Sequence, residues 1–270
     1  IHPSFAVNAI EFIKNGQADV MSNFMVTAMT ARSQGLDLVN FAQLSQHSGI
    51  MLVTRKESGI EDISDFHGRS IGVWMSGFEE VPKAMMIEHG IEVEWIPILW
   101  SVNLFLMGGI DAMTVMWYNE YNQIYLNGLD SDELNVFFLA DYGYDVPEDG
   151  LYTLRQTHES RAEELRAFVG ATLKGWEYVA RNRDYAVNMV VEMMRKMHIP
   201  SNFAHQRWML DRVIELQQPG SKMVEPGFLH PDDYALAVSI LTERGIIKQA
   251  CGFDVFFKPL LPLPDQISQP

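Results

Sequence analysis

Cysteine is almost absent: Cys251 is the single one in 270 residues. One thiol excludes an internal disulfide and any zinc site built on cysteine pairs. It sits in "KQACGFDVFF", which has no nucleophile's pattern and points to a half-buried structural thiol. Scarce cysteine suits both the cytoplasm and the bacterial periplasm, so compartment stays open. Positive charge is scarce too. Lys and Arg number 20 against 35 Asp and Glu, a formal net charge of −15. Such a chain cannot neutralise a run of phosphates, which excludes nucleic acid as a partner. No apolar run approaches the ~20 residues of a membrane helix. The first residues lack the basic, apolar and small-residue segments of a signal peptide and read as a loop entering a helix. The chain is therefore expected to be a mature or incomplete version of something longer. There is no Gly-rich phosphate loop, dinucleotide fingerprint or G-x-S-x-G elbow. His198 and His205 are seven apart across Pro200, and no histidine pair has i, i+4 spacing with a nearby acid. Neither a metal nor a cofactor is expected.

What is present is an ordinary globular composition, 47% hydrophobic and 20% charged. The length suits two domains of about 100–150 residues each. In the first half, strand and helix signals alternate with short joins. "ADVMSN", "LDLVNFAQL", "GIMLVTR", "RSIGVW", "EVEWIPI" and "DAMTVMW" read as strands. "FAVNAIEFIKNG", "FMVTAMTARSQG", "FEEVPKAMMIEHG", "VNLFLMGG" and "NEYNQIYLNG" read as helices stopped by glycine. This alternation predicts an α/β fold with mostly parallel sheets covered by helices. Two further strands flank a polar connection in "LNVFFLADYGYDVPEDGLYTLRQ". The second half is helical: "HESRAEELRAFVGATLKGWEYVARN" reads as one long amphipathic helix, followed by three more. Ser201 and Asp232 or Asp233 are the expected caps of the last two. Met-rich "KAMMIEHG" and "VVEMMRKMH" read as core packing. The Pro-rich C-terminus is expected to be an extended strap. The pattern fits two domains in series or one sheet-based lobe interrupted by a second.

Three strand-to-helix handovers carry the functional candidates. They are Asn23 and Phe24; Ser76, Gly77, Phe78 and Glu79; and Trp117, Tyr118 and Glu120. Carboxyl ends of parallel strands are where open α/β sheets bind ligands. Glu79 and Glu80 also suit a helix's first turn, where the dipole favours acids for purely structural reasons. Together the three turns supply rings, amides and carboxylates without an evident nucleophile or acid–base relay. That combination suits holding a flat nitrogen-containing ring, by stacking and by accepting its N–H groups. Binding is favoured over catalysis.

The ordered set "GQADVMSN", "SGIMLVTRKESGIEDISDFHGRSIGVW", "MWYNEYNQIYLNG", "EDGLYTL" and "FVGATLKGWEYVARN" resembles a known family. It is similar to the solute-binding proteins of ABC importers for thiamine-pyrimidine precursors, riboflavin, nitrate, sulfonates and taurine. The likeness spans residues 5 to 215 and is nearest the branch related to thiamine-pyrimidine synthase. It implies a two-lobed type II periplasmic-binding-protein fold with a ligand cleft between lobes. Lobe one would hold residues 1–55 plus 140–270 and lobe two 56–139, with hinges near 55 and 140. A first strand and helix would precede this chain. The Tyr118-Asn119-Glu120 segment fits the acid that pyrimidine binders offer their ring. The implied partners are a small heteroaromatic solute and ABC permease subunits, with membrane contact only through the permease or a lipid anchor outside this chain. The implied location is periplasmic or at the cell surface. Alternatives are a nitrate, sulfonate or taurine binder, a pyrimidine synthase of the same fold, and a sensor domain. The synthases carry a cysteine cluster that this chain lacks.

Overall fold

A computed structural model of the chain describes residues 9–74, 78–99, 101–222 and 224–261. The elements run α1 (Ala9–Lys14), β1 (Met21–Phe24), α2 (Met25–Ser33), β2 (Leu38–Gln43), β3 (Ile50–Arg55), β4 (Ser70–Trp74) and α3 (Glu80–Glu88). Then come β5 (Glu94–Ile98), α4 (Asn103–Leu106), β6 (Ala112–Met116), α5 (Glu120–Leu126), β7 (Leu134–Phe138) and β8 (Asp149–Leu154). The remainder is helical: α6 (Arg155–Ser160), α7 (Ala162–Arg181), α8 (Arg183–Lys196), α9 (Phe203–Leu216), α10 (Pro231–Glu243) and α11 (Phe253–Phe256). Glycine stops α2 and α5 as expected, with Gly35 at φ +100° and Gly128 at +97°. The strand and helix signals of the first half reappear as these elements. Among the described residues no helix is long and apolar enough to cross a membrane.

The chain forms two compact units. The first comprises Ile1–His47, Val146–Tyr178 and Gln217–Pro270; the second Ser48–Asp145 and Val179–Leu216. Two corrections follow. The crossings fall at 47/48 and 145/146, not near 55 and 140. Helices α8 and α9 also belong to the second unit, where α9 hydrogen-bonds the turn after β6 through Trp208. A helix that is amphipathic in sequence does not announce which core it covers.

The first unit has a three-stranded sheet ordered β1-β8-β2, both pairings antiparallel. The second has five strands ordered β5-β4-β6-β3-β7. There β4 pairs parallel with β5 and β6, and β3 pairs antiparallel with β6 and β7. The expectation of mostly parallel sheets thus holds for strand direction but not for pairing. β3 and β8 oppose the rest because each enters its unit directly from the other, without the helical crossover that parallel neighbours need. β3 lies second from one edge of its sheet and is buried from Ile50 to Thr54, so its sequence is continuously apolar up to Thr54. It packs with Ile98, Phe105, Val115 and Ile124 in the second core. The first core gathers Phe41, Leu151, Leu165 and Val169.

Other expectations need amendment. The long helix from His158 is two, α6 and α7, divided at Arg161. The caps are neighbours of the predicted ones. Asn202 Oδ1 accepts the His205 N–H at 3.2 Å and His230 Nδ1 the Asp232 N–H at 3.2 Å. Asp233 instead pairs with Lys222 at 3.1 Å. The α3 methionines Met85 and Met86 are buried, but Met193 on α8 and Met197 at its C-terminal cap are 54% and 68% exposed. α8 buries only its Ala186, Val187 and Val191 side. The described start of the C-terminal segment runs beside β2, where the Lys258 and Leu260 N–H groups donate to Asn40 and Phe41 carbonyls; the rest of the expected strap, 262–270, lies outside the described residues.

Candidate functional site

The turn between β6 and α5 is tied together by an acid. Glu120 opens α5 and is 4% exposed. Its Oε2 accepts the Met116 N–H at 2.9 Å and its Oε1 the Asn119 amide at 2.7 Å. Burial holds this carboxyl above the usual glutamate range, against the lowering effect of those hydrogen bonds. Glu120 therefore has a structural duty, to which its own backbone N–H adds a third hydrogen bond, while a carboxylate can accept about four. Phe78 and Glu120 share a cavity of about 10 Å³, with Ile50, Trp74 and Thr114. That is room for about one water. The Trp74 and Phe78 rings stand 6.0 Å apart and tilted, giving the acid an aromatic surround.

Trp117 is engaged on other sides. Its N–H donates to the Gly49 carbonyl at 2.8 Å and its carbonyl accepts the Trp208 indole N–H at 2.9 Å. Phe138 meets the ring edge-on at 5.4 Å. The Arg212 guanidinium lies 4.8 Å from the Trp117 ring and 5.0 Å from Trp208, a cation between two indoles. Tyr118 follows, its ring 3.6 Å from where a side chain on Gly49 would begin. His205 on α9 braces the turn: its ring nitrogens lie 2.8 Å from Asn122 Oδ1 and 3.2 Å from Asn119 Oδ1. Burial draws its pKa below the ordinary value.

Glu79 behaves differently. It forms an ion pair with Lys83 one turn along, and Lys83 in turn sits 5.7 Å from the Trp95 ring centre. Its neighbour Glu80 is more enclosed, and burial, then the charge on Glu79, push its carboxyl up. Ser76 and Gly77 lie outside the described residues.

Asn23 and Phe24 belong to the first unit, at the end of β1. Asn23 Oδ1 accepts the Phe24 N–H at 2.8 Å, turning the chain into α2. In register they face Gly150 and Asp149 of β8. Asp149 was not singled out in the sequence, though it sits in the quoted "EDGLYTL". Its carboxylate accepts the Ser22 hydroxyl at 3.3 Å, and burial pushes its pKa up. Next to it, a side chain on Gly150 would begin 2.6 Å from Gln43 Oε1 and 2.8 Å from both Asn40 Nδ2 and the Tyr152 hydroxyl. Only glycine leaves room for that buried polar trio. Each unit thus places an acid at a strand end, Glu120 lining a cavity with Trp74 and Phe78 and Asp149 in register with Phe24.

Known proteins resemble this chain. A Haemophilus influenzae protein named for thiamine biosynthesis is 28% identical over 154 residues, 54% of this chain and 48% of the relative. The formylaminopyrimidine-binding protein of Halalkalibacterium halodurans is 24% identical over 209 residues, 74% of this chain and 62% of the relative. The chain therefore matches about half to three-fifths of the length of these relatives. Among solved structures, the periplasmic aliphatic sulphonate binding protein SsuA from Escherichia coli superposes with a TM-score of 0.71. That match covers 94% of this chain and 80% of SsuA at 13% identity, a likeness of the periplasmic-binding-protein fold. The family model described as NMT1/THI5 like matches residues 1–186. The chain belongs to the NMT1/THI5-like family.

Proposed function

We propose that this chain is the extracytoplasmic solute-binding component of an ABC importer. Its solute is a small nitrogen-rich heteroaromatic molecule of the thiamine-pyrimidine or riboflavin class, and it delivers that solute to permease subunits without transforming it. Family membership and the pyrimidine-binding name of the Halalkalibacterium halodurans relative support this reading.

The observation that carries it is the environment of Glu120. This buried carboxylate has aromatic neighbours, and its hydrogen bonds come from two backbone N–H groups and an amide, leaving room for a further donor. Among the described residues no cation forms an ion pair with it. A sulfonate or nitrate brought near would meet like charge or an acid O–H in a low-dielectric wall. An aminopyrimidine instead presents an N–H donor to the remaining lone pair, and its ring suits Trp74 and Phe78. In the other unit a buried acid, Asp149, stands in register with Phe24.

Isothermal titration with 4-amino-5-hydroxymethyl-2-methylpyrimidine, riboflavin, taurine and nitrate tests the proposal. Saturable binding of the pyrimidine or of riboflavin is expected. Tight taurine or nitrate binding with no heat from the two heteroaromatics would overturn it.

A further inference from the structure

The first unit contains a cavity of about 330 Å³ that the strand-end residues do not touch. The end of α2, Tyr234 of α10, the 247–251 segment and Phe256 of α11 line it, and it opens to solvent. Its volume falls in the lower range of small-molecule pockets. The floor is apolar: Met29, Tyr234, Ile247 and Phe256 are all buried. Arg32 and Cys251 form the polar side.

The charge around Arg32 is unbalanced. Its Nη1 contacts the Asp37 carboxylate at 2.6 Å and the Leu38 carbonyl, and its Nε–H points at Cys251 Sγ at 3.1 Å. The same Asp37 also serves Arg155, at 2.9 Å. One carboxylate between two guanidiniums leaves an excess positive charge on a chain whose net charge is −15. The two Arg32 Nη2 hydrogens have no acceptor among the described residues. A guanidinium with a free edge matches a carboxylate in shape and charge. A dianion suits the place less well, because Asp37 and the carbonyl end of α2 both oppose added negative charge.

We propose that this cavity is a second ligand site, one that takes a small aromatic carboxylate. The carboxylate lies on the Arg32 Nη2 edge and the ring lies on Met29, Ile247 and Tyr234. The site is independent of the solute reading given above.

Cys251, the only thiol, serves as the reporter. Iodoacetamide alkylates it when the sulfur displaces iodide and forms a thioether, so an occupied cavity slows the reaction. Benzoate is expected to slow alkylation saturably, about tenfold once its concentration exceeds its dissociation constant about ninefold. Neutral benzamide should protect far less. Gln249 is on the exposed rim, so Gln249→Glu should fold normally and weaken benzoate about fivefold by adding a negative charge nearby. Equal protection by benzoate and benzamide, or protection unchanged in Gln249→Glu, would overturn the proposal. So would loss of benzoate protection in Glu120→Gln, which would place the anion at the strand ends. The aminopyrimidine should leave Cys251 alkylation unchanged, so failure of the solute reading and failure of this one give different results.

Discussion

Two handovers of the same sheet, after β4 and after β6, each place a glutamate at the start of a helix. Glu79 is neutralised by Lys83 one turn away. Glu120 is more deeply buried and is held by two backbone N–H groups and an amide, with no ion-pair partner among the described residues. The first arrangement is what any helix start on a surface tends to acquire. The second keeps an uncompensated acid in an aromatic wall, a cost that ordinary folding does not require. Position at a strand end therefore does not by itself tell the two acids apart. Among the described residues they differ in that Glu79 has an ion-pair partner and Glu120 has none.

The largest effect that would break this comparison is truncation. Glu120→Ala leaves the buried Met116 N–H without its acceptor and should lower stability by about 2 kcal/mol. Glu79→Ala should stay within about 0.5 kcal/mol, since a partly exposed i, i+4 pair contributes little. Urea melts of both variants measure the contrast, and equal losses would erase it. Glu120→Gln is the finer cut. It keeps one acceptor but turns the other oxygen into a donor facing N–H groups, at a cost of about 1 kcal/mol. Heteroaromatic binding should vanish in that variant while the folded baseline persists, as titration calorimetry would register.

A smaller effect concerns pH. Glu120 is an acid whose folded pKa is raised by burial above its ordinary 4.5. Its contribution to stability is present below that ordinary value and is lost as pH climbs through the raised folded one. The stability of wild type minus that of Glu120→Gln should therefore fall as pH rises from about 4 to about 8. A flat difference would show that the carboxyl is not perturbed. The smallest effect expected is that of salt on the Glu79–Lys83 pair. Raising ionic strength to about 1 M should move the Lys83→Ala stability difference by only a few tenths of a kcal/mol.

What the sequence disclosed divides along the same line. Strands, helices and their glycine stops were readable because periodicity and positive-φ residues are local properties. Glu120, Trp117 and Tyr118 were readable as a dense polar-aromatic turn. The Glu79–Lys83 pair has i, i+4 spacing in the sequence, but only the structure names it as an ion pair. The engagement of Trp117 by Phe138 and Arg212 was not readable, because those partners arrive from β7 and α9. Asp149 was missed for the same reason: its nearness to Phe24 comes from strand register, not from sequence distance. Nor did the methionines of α8 differ in type from those of α3. Burial separates them, and burial is set by neighbours that no window of sequence contains.

The tryptophans that flank Arg212 and Phe78 have an optical consequence. Five of the six in the chain fall in residues 48–145 and 179–216, and the sixth is Trp176. Intrinsic emission is therefore a nearly selective readout of the second unit. Solute reaching the Glu120 wall should shift or quench it, whereas occupancy beside Cys251 should pass almost unseen in the spectrum. Without any attached dye, the protein colours one of its two candidate sites and leaves the other dark.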